Sequence, residues 1–229
     1  WLTKIAEGQA ASLAIQARDG SHLPESTEVF VKDGKLFGTT NFVQDLQKAD
    51  LLVASAKEDG ITKLYAIESS ANGLTMHFDK IVDLTRDQGR VSFDGAKAEC
   101  ISEEGTNAIT KAMPAIYTLI AADIAGGCEW LLQTTAEYAS VRTQFDRPIG
   151  FFQAVKHPIV DMMIAADETR SLVYSAACAY DTEPEKAQLA AHLAKSSAAD
   201  SAEFCSNRAT QLHGGIGFTW EHNVQIYHK

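Results

Sequence analysis

The pattern of hydrophobic and polar positions changes near residue 100. Over residues 27–99, short runs rich in β-branched residues alternate with turn signals. Such runs are typical of strands, and Asp-Gly or Asn-Gly pairs supply the positive φ angles of tight hairpin turns. The pattern predicts strands at residues 28–32, 50–54, 63–67 and 90–93, and turns at Asp33-Gly34, Asp59-Gly60, Asn72-Gly73 and Asp94-Gly95. This spacing favours an antiparallel β-barrel or sandwich, preceded by a helix or turn over residues 2–14.

Beyond residue 107 the hydrophobic positions recur at intervals of three and four residues, which is the period of an α-helix. The pattern predicts helices over residues 108–145, 150–180 and 184–213. The third of these is rich in alanine, and small side chains permit close approach of neighbouring helices. The fold class is therefore predicted as α+β. We expect a β domain with a short leading helix at residues 1–103 and an up-down helical bundle at residues 104–229.

Composition narrows the class of protein. The 229 residues are 45% apolar and 22% charged, which excludes a disordered or low-complexity chain. With 20 Lys and Arg against 30 Asp and Glu, the net charge of −10 argues against non-specific nucleic-acid binding. No uninterrupted apolar run approaches the roughly 18 residues of a membrane span, so we expect none. The four cysteines are scattered singly and are expected to be buried free thiols in a reducing compartment, with no metal site.

One candidate site is the segment Gln211-Leu-His-Gly-Gly-Ile-Gly-Phe218, which has three glycines in four positions. Glycines let main-chain amides come close to an anionic ligand. A helix end followed by a loop explains the segment equally well on the residues alone. A Rossmann-type dinucleotide motif is excluded, because the spacing differs and no strand precedes the glycines.

The second candidate is the stretch from Arg142 to Val155, which combines arginines, phenylalanines and glutamines. An arginine near a helix end can bind a phosphate through two parallel hydrogen bonds, and Phe with Gln can enclose a flat heteroaromatic ring. The same residues can instead complement a helix dipole and fill a core. His157 and His213 have no second ligand at metal spacing, so structural roles are the more typical interpretation.

Together the two motifs resemble the bacterial acyl-CoA dehydrogenase family. The likeness runs through Tyr138-Ala-x-x-Arg142-x-Gln144-Phe145, Pro148-Ile-Gly150-x-Phe152-Gln153-Ala-Val155 and Gln211-Leu-His-Gly-Gly-Ile-Gly-Phe-Thr-Trp-Glu-His222. Upstream, Phe37-Gly-Thr, Ala49-Asp-Leu-Leu-Val-Ala54 and Asp83-Leu-Thr-Arg86 resemble the β domain of that family. The resemblance implies an N-terminal helical domain, a β domain and a C-terminal four-helix bundle. We expect this chain to lack the first domain and the last helix.

The resemblance also implies a chemistry: FAD as cofactor, an acyl-CoA thioester as substrate and α,β-dehydrogenation in cytoplasmic lipid metabolism. Electron-transferring flavoprotein would be the acceptor. In the family, the positions of Arg142 and residues 211–215 contact the FAD pyrophosphate and adenosine across a subunit interface, and Phe145, Phe152 and Gln153 match positions near the adenine. The cofactor-binding residues expected from the resemblance are Arg142, Phe145, Phe152, Gln153, Gln211, Leu212, His213, Gly214 and Gly215.

The departures from the family pattern lie where a subunit contacts its own flavin. The usual Thr-Glu is lost from residues 14–21, and Phe42-Val43-Gln44 replaces a Trp-containing element. Asp146 stands where the family has glycine, and Ile116 stands where some members carry the catalytic glutamate, so no catalytic residue is assigned. This pattern predicts a subunit of a heteromeric α2β2 enzyme, similar to actinobacterial steroid side-chain dehydrogenases. The chain would lend its contacts to FAD on a homologous partner.

Three alternatives stay open at this point. The chain could form a homotetrameric dehydrogenase, or it could be a flavin-dependent oxidase or monooxygenase on the same fold, since fold does not fix function. It could also be a non-catalytic structural partner. The run Gly-Phe-Thr-Trp-Glu-His at residues 217–222 favours the dehydrogenase.

Overall fold

The computed structural model describes residues 1–229, which divide into two compact units. We call them the β unit (Trp1–Lys111) and the helical unit (Ala112–Lys229). Each unit buries its own hydrophobic cluster. The α+β architecture expected from the sequence is confirmed.

The β unit consists of a short helix followed by eight strands. The helix α1 is Leu2–Ala6. The strands are β1 (Ala11–Ala14), β2 (Phe30–Lys32), β3 (Lys35–Gln44), β4 (Leu51–Glu58), β5 (Ile61–Glu68), β6 (Leu74–Phe78), β7 (Gln88–Ala96) and β8 (Glu99–Ser102).

Two of the predicted turns form the hairpin type that their residues favour. Asp33 and Gly34 have φ angles of 52° and 69°, and Asp59 and Gly60 have 50° and 81°. Two successive positive φ angles match the right-handed twist of the flanking strands. These turns join β2 to β3 and β4 to β5, which pair in antiparallel register.

The prediction of a turn at Asp94-Gly95 is wrong, because both residues lie inside β7. Phe37 pairs with Asp94 and Leu36 with Ala96, which leaves Gly95 as an extra residue with a φ of 73°. One unpaired residue with positive φ is a β-bulge, and glycine takes that conformation without strain. The Asp-Gly pair therefore marks a bend within a strand.

The sheet is mixed and open, in the order β6-β7-β3-β2-β4-β5-β8, and it is not a closed antiparallel barrel, because β1 and β2 each pair with β4 in parallel. Strand β1 lies parallel to β4, with Ala11 opposite Leu51 and Ala14 opposite Ala54. The expected helix or turn over residues 2–14 is thus helical only in α1, and its second half is a strand. Parallel pairing depends on residues far along the chain, so no local pattern reveals it.

The core of the β unit lies on one face of the central strands. Leu52, Ala54 and Ala56 alternate along β4 and are fully buried there. Val91 and Phe93 contribute from β7 in the same way. Alternate residues of a strand point to the same face, so these residues together form the buried face of the sheet.

The helical unit is built on three long helices. Helix α2 (Gly105–Val141) begins in the β unit, and a small hairpin of β9 (Thr143–Gln144) and β10 (Arg147–Pro148) follows it. Helices α3 (Gln153–Thr182) and α4 (Pro184–His213) come next, and Pro184 occupies the first turn as expected. Three 3₁₀ segments complete the unit: Ile149–Phe151, Gly214–Phe218 and Asn223–His228.

Helix α2 ends at Val141, four residues before the end that the hydrophobic period predicts. The residues that follow it form the β9–β10 hairpin, in which Arg147 pairs with Gln144 and Pro148 with Thr143. The aromatic residue at position 145 thus continues the helical spacing in the sequence but lies at a turn. The hairpin matters below, because it carries part of the candidate site.

The core of the helical unit is assembled from small and sulfur-containing side chains. Cys128 and Leu131 of α2 pack with Met162 of α3 and with Cys205 and Ala209 of α4. By length and composition α2 could cross a membrane, although one such helix is weak evidence for a span. Cys128 and Leu131 are the residues that α2 contributes to this buried cluster.

All four cysteines are free, but only two of them are buried. Cys128 and Cys205 lie in the bundle core, whereas Cys100 and Cys178 are exposed, contrary to the expectation of four buried thiols. Cys100 lies on β8, the last strand in the sheet order, and Cys178 lies on the outer side of α3. No group of three or more His, Cys, Asp or Glu side chains is placed to hold a metal ion.

Candidate functional site

The β9–β10 hairpin presents an aromatic ring at its tip. Its two turn residues, Phe145 and Asp146, have φ angles of 56° and 61°. Asp tolerates this left-handed conformation, whereas a bulky residue there is an outlier that costs about 1–3 kcal/mol. Phe145 is nevertheless 82% exposed, so burial does not offset that cost. Strain at an exposed aromatic residue points to a functional role for the ring.

The hairpin is tied closely to the end of α2. The Ile149 amide donates to the carbonyl oxygen of Arg142 at 2.8 Å, which closes the hairpin onto the helix terminus. Gly150 lies so close to Ala139 that an added Cβ would approach its carbonyl oxygen to 3.0 Å. Arg142 itself is exposed and forms no ion pair. Its guanidinium is therefore available at a fixed place beside the hairpin.

Three phenylalanine rings connect the hairpin to the start of α3. Phe145 meets Phe152 edge to face at a centroid distance of 5.9 Å, and Phe152 meets Phe151 in the same way at 5.7 Å. Such edge-to-face pairs are the favoured geometry of aromatic contacts. Gln153, the first residue of α3, is exposed next to them. The ring contacts fix the direction in which Phe145 projects.

His213 ends α4 with its ring turned into the protein. It is 2% exposed, and its Nδ1 lies 2.8 Å from the carbonyl oxygen of Ala209. A carbonyl can only accept, so Nδ1 carries the proton and Nε2 is left as an acceptor. That Nε2 is buried without a hydrogen-bond partner, as is Oγ1 of Thr210 one turn earlier.

The His213 ring lies between two other rings. The Tyr138 ring stacks on it with 4.4 Å between the ring centroids and 22° between the ring planes. The His222 ring lies with its centroid 4.6 Å away and is tilted relative to the His213 ring. Burial lowers the pKa of His213, and the nearby His222 lowers it further, while the Ala209 carbonyl acts in the opposite direction. His213 is therefore neutral at physiological pH and acts as a packing element.

The glycines that follow His213 leave an open stretch of main chain. Gly214 ends the helix with a φ of 62°, and an added Cβ on Gly214 or Gly215 would meet nothing within 4 Å. Gly217 is different, because an added Cβ would lie 2.6 Å from the carbonyl oxygen of Thr210. Two glycines therefore leave the backbone accessible, and the third allows the loop to pack against α4.

The two sequence motifs meet at Tyr138. Its carbonyl oxygen accepts from the amide of Arg142 at 2.9 Å, and its hydroxyl donates to the carbonyl oxygen of His213 at 3.4 Å. Arg142 and the glycines after His213 thus lie at the same end of the bundle. Of the residues expected to bind a cofactor, Arg142, Phe145, Gln153, Gln211, Gly214 and Gly215 are exposed, Phe152 and Leu212 are half-buried, and His213 is buried.

The sequence reasoning assigned no role to Tyr138 or to Phe151, although both belong to this arrangement. Tyr138 stands four residues before Arg142, which directly follows α2, and at this spacing the two residues are neighbours at the helix end. That spacing is a signal that could have marked it. The side chains of Arg147 and Lys156 lie against the Phe151 ring, and no local sequence pattern indicates these contacts.

In the β unit, the two segments that depart from the family pattern lie side by side. The amide of Asn41 and the hydroxyl of Thr40 both donate to the carbonyl oxygen of Gln16 at 3.0 Å. Next to them Phe42 has a φ of 52° at an irregularity in the pairing of β3 with β7. Residues 14–21 and 42–44 therefore belong to one surface.

Several polar groups of that surface are bonded within the chain. The Gln44 side-chain amide donates to the Phe42 carbonyl oxygen at 3.3 Å and to Gln88 Oε1 at 3.1 Å. The Ala17 amide donates to the Ser21 carbonyl oxygen at 2.8 Å, and the Arg18 amide donates to a Glu28 carboxylate oxygen at 3.1 Å. These donors are occupied within the chain.

Comparison with known proteins gives a consistent result. The family model described as acyl-CoA dehydrogenase, C-terminal domain, matches residues 103–229, which is more than half of the chain. The acyl-CoA dehydrogenase FadE34 of Mycobacterium tuberculosis is 40% identical over 111 residues, covering 48% of this chain and 16% of that protein. The chain thus spans only a small part of that relative.

Two solved structures have the same fold. The steroid acyl-CoA dehydrogenase Tcur3481-Tcur3483, in a G363A variant, is 25% identical with a TM-score of 0.84, over 96% of this chain and 60% of that one. The ChsE4-ChsE5 complex from Mycobacterium tuberculosis is 24% identical with a TM-score of 0.88, over 99% of this chain and 62% of that one. The chain covers less than two thirds of either.

Proposed function

Because the chain belongs to the acyl-CoA dehydrogenase family, we propose that it forms part of an FAD-dependent enzyme that oxidises the Cα–Cβ bond of an acyl-CoA thioester. We propose further that it acts as one subunit of a heteromer and contacts FAD held mainly by a homologous partner. A steroid-derived acyl group is the substrate class supported by the likeness to a steroid acyl-CoA dehydrogenase. Electron-transferring flavoprotein would accept the electrons.

The observation that carries this proposal is the contrast between the two candidate surfaces. At the end of the bundle, Arg142 is an unpaired cation and the main chain at Gly214 and Gly215 is open. In the β unit, the donors around Phe42 and Gln44 are bonded within the chain. A subunit that serves a cofactor on its partner needs the first surface and can dispense with the second.

The residues at the end of the bundle fit a dinucleotide. A guanidinium suits a phosphate pair, since its fixed fork of N–H donors matches phosphate oxygens. Open peptide groups after a helix can form an anion-binding concavity, and an exposed aromatic ring can stack on adenine. Arg142, Gly214, Gly215 and Phe145 would hold the pyrophosphate and adenosine parts. When bound, FAD supplies the acceptor for the hydride that leaves the β-carbon.

The other residues of this site hold the contact residues in place and take no part in the reaction. Neutral His213 fills the space under the glycine loop, and Tyr138 keeps that loop beside Arg142. Ile116 has no group that can take the α-proton, so the base belongs to another residue of the assembly. We place the protein in the bacterial cytoplasm, since the exposed free thiols of Cys100 and Cys178 suit a reducing compartment.

The test compares the full-length protein alone with the same protein co-expressed with a homologous dehydrogenase subunit from the same organism. Flavin content is read from the absorbance spectrum, and turnover from bleaching of the flavin by a steroid side-chain acyl-CoA. We expect flavin and bleaching in the co-expressed assembly and neither in the protein alone. Stoichiometric FAD and turnover by the isolated homo-oligomer would contradict the heteromeric proposal.

A second candidate is a structural partner that has lost the chemistry. The bonded donors around Gln44 favour it, because donors that are used within the chain are not available to a flavin ring. In that case removal of the Arg142 charge leaves the flavin content of the assembly unchanged. Consumption of oxygen in place of transfer to electron-transferring flavoprotein would instead indicate an oxidase or monooxygenase.

A further inference from the structure

Two thiols from different helices contact each other in the core of the helical unit. Cys128 of α2 is 1% exposed and Cys205 of α4 is 0% exposed, and both belong to one buried cluster. A hydrogen bond joins their side chains, and the carbonyl oxygen of Met162 lies 3.9 Å from Sγ of Cys205. A disulfide needs its two sulfur atoms about 2.05 Å apart, so a pair already in contact can form one after a small movement. The function proposed above uses neither thiol.

The hydrogen bond makes the two thiols chemically unequal. It lowers the pKa of Cys128 below the ordinary thiol value, although burial acts in the opposite direction, and it raises the pKa of Cys205. The thiolate is the form that attacks a peroxide, so Cys128 is the thiol that reacts first. Cys205 lies next to it and can then attack the oxidised sulfur. A reactive cysteine with a second cysteine beside it is the arrangement of a thiol redox site.

The helix next to Cys128 is weakened by two glycines. Gly126 and Gly127 directly precede it in the interior of α2, where glycine is less favourable than alanine. An added Cβ on Gly127 would lie 3.4 Å from the Tyr227 ring, but one on Gly126 would meet nothing within 4 Å. Packing therefore does not require glycine at position 126. We expect this part of α2 to open locally more readily than its surroundings, which admits an oxidant close to water in size but no bulkier reagent.

We propose that Cys128 and Cys205 are a redox-active pair, which hydrogen peroxide converts to an intrachain disulfide between α2 and α4. The Cys128 thiolate attacks one peroxide oxygen and the O–O bond breaks, which gives a sulfenic acid at Cys128 and a hydroxide that takes up the thiol proton as water. The Cys205 sulfur then attacks the sulfenic sulfur, and the S–S bond forms as the hydroxyl group leaves with the Cys205 proton as a second water. In total the two thiols lose two electrons and two protons, and the peroxide is reduced to two waters.

The disulfide would tie together the two helices that carry the candidate site. Cys128 lies ten residues before Tyr138 on α2, and Cys205 lies eight residues before His213 on α4. At about 1.5 Å per residue, the new bond lies about 15 Å and about 12 Å along these helices from the contact between Tyr138 and His213. Disulfides in a reducing cytoplasm are typically transient and redox-sensing. The reaction is independent of the proposed function, because it needs neither flavin nor a partner subunit.

The test treats the full-length protein with hydrogen peroxide and maps its disulfides by peptide mass spectrometry without reduction. We expect a disulfide between the peptides of Cys128 and Cys205, and a thermal unfolding midpoint raised by several degrees, because a cross-link that closes a long loop restricts the unfolded chain. Dithiothreitol should reverse both changes. C205A should show neither change. C178S is the matched control, since it removes an exposed thiol and should behave as the wild type.

A second variant tests the route of the oxidant without altering either cysteine. G126A fills open space, so it should fold as the wild type does while strengthening α2 beside Cys128. We expect the disulfide to form about two- to fivefold more slowly in G126A, since alanine in a helix interior opposes local opening by that factor. An unchanged rate would contradict opening at the glycine pair. The proposal is overturned if peroxide leaves both thiols of the wild type reduced, if it oxidises them to sulfinic acids without a disulfide, or if C205A shows the same reversible rise of the midpoint.

Discussion

Tyr138 and His213 stack ring on ring at a centroid distance of 4.4 Å, although 75 positions separate them in the chain. The Tyr138 hydroxyl also donates to the carbonyl oxygen of His213 at 3.4 Å. This contact joins the end of α2 to the end of α4. It therefore holds Arg142, the residue directly after α2, beside the glycines that follow His213.

Removal of the Tyr138 ring should loosen this junction. We expect Y138L to lower the free energy of unfolding by about 1–2 kcal/mol, since it removes an aromatic pair and leaves the His213 ring partly unpacked. The hydrogen bond is long, so Y138F should have a much smaller effect. Urea unfolding of the two variants measures both changes. Equal destabilisation by Y138F and Y138L would show that the stack contributes nothing.

The burial of His213 should make stability depend on pH. Burial lowers its pKa below the ordinary value of 6.5, so the unfolded chain binds a proton more readily than the folded one. The stability contributed by neutral His213 is complete above that value and is lost as the pH falls through it. We expect H213F, which keeps a ring against Tyr138 but cannot titrate, to lose less stability between pH 7.5 and pH 5.5 than the wild type.

Urea unfolding at the two pH values measures this difference. H157Q, which removes an exposed histidine, is the matched variant with which H213F is compared. A pH dependence in H213F as steep as that of the wild type would exclude a contribution from His213.

The two exposed cysteines should differ in reactivity. Partial burial raises the pKa of Cys100, and the hydrogen bond from its thiol to the Glu103 carboxylate, at 3.5 Å, raises it further. The thiolate is the reactive form, so Cys178 should react with iodoacetamide several times faster than Cys100 at pH 8. Cys128 and Cys205 should react only after unfolding.

Peptide mass spectrometry after timed alkylation measures each rate. E103Q should accelerate the reaction of Cys100 and leave that of Cys178 unchanged. Equal rates at the two cysteines in the wild type would contradict the proposed effect of Glu103.

Lys63 should stabilise the folded state at neutral pH, and this stabilisation should be lost at acidic pH. Nζ of Lys63 lies 2.7 Å from Oε2 of Glu58 and also forms an ion pair with Glu103. The hydrogen bonds that Lys63 donates are the main reason why the pKa of each of these two carboxyl groups is lowered. Depressed carboxyl pKa values stabilise the folded state above the ordinary value near 4.5, and this gain is lost as the pH falls through the lowered values. We expect K63M to be less stable than the wild type at pH 7, with a smaller difference at pH 3. Unfolding at the two pH values measures it, and an equal difference at both would contradict the role of the bridge.

The elements that could be predicted from the sequence are those set by neighbours in the chain. The hairpins at Asp33-Gly34 and Asp59-Gly60 and the start of α4 at Pro184 follow from residues whose own backbone preferences select the conformation. Strand β1 and the bulge at Gly95 depend on partners in β4 and β3, and for that reason a helix or turn was expected at the first and a turn at the second.

The candidate site shows the same division. Arg142 and the glycine segment could be found from the sequence, because each is a dense local motif. The inward orientation of the His213 ring could not, since it depends on Tyr138 and His222 from other segments. The hairpin at Phe145 continues a helical period in the sequence, and only its pairing shows that the helix has already ended.

The most direct test of the central claim is the FAD content of the co-expressed heteromer when this chain carries R142Q. The claim is that Arg142 serves a cofactor held mainly by the partner subunit. R170Q is the control, because Arg170 is an exposed arginine paired with Asp167 and lies away from the hairpin on α3. We predict that R142Q leaves the assembly intact by size-exclusion chromatography but lowers its FAD-to-protein ratio at least tenfold, whereas R170Q retains the full ratio. An intact R142Q assembly with as much FAD as the R170Q assembly would contradict the account.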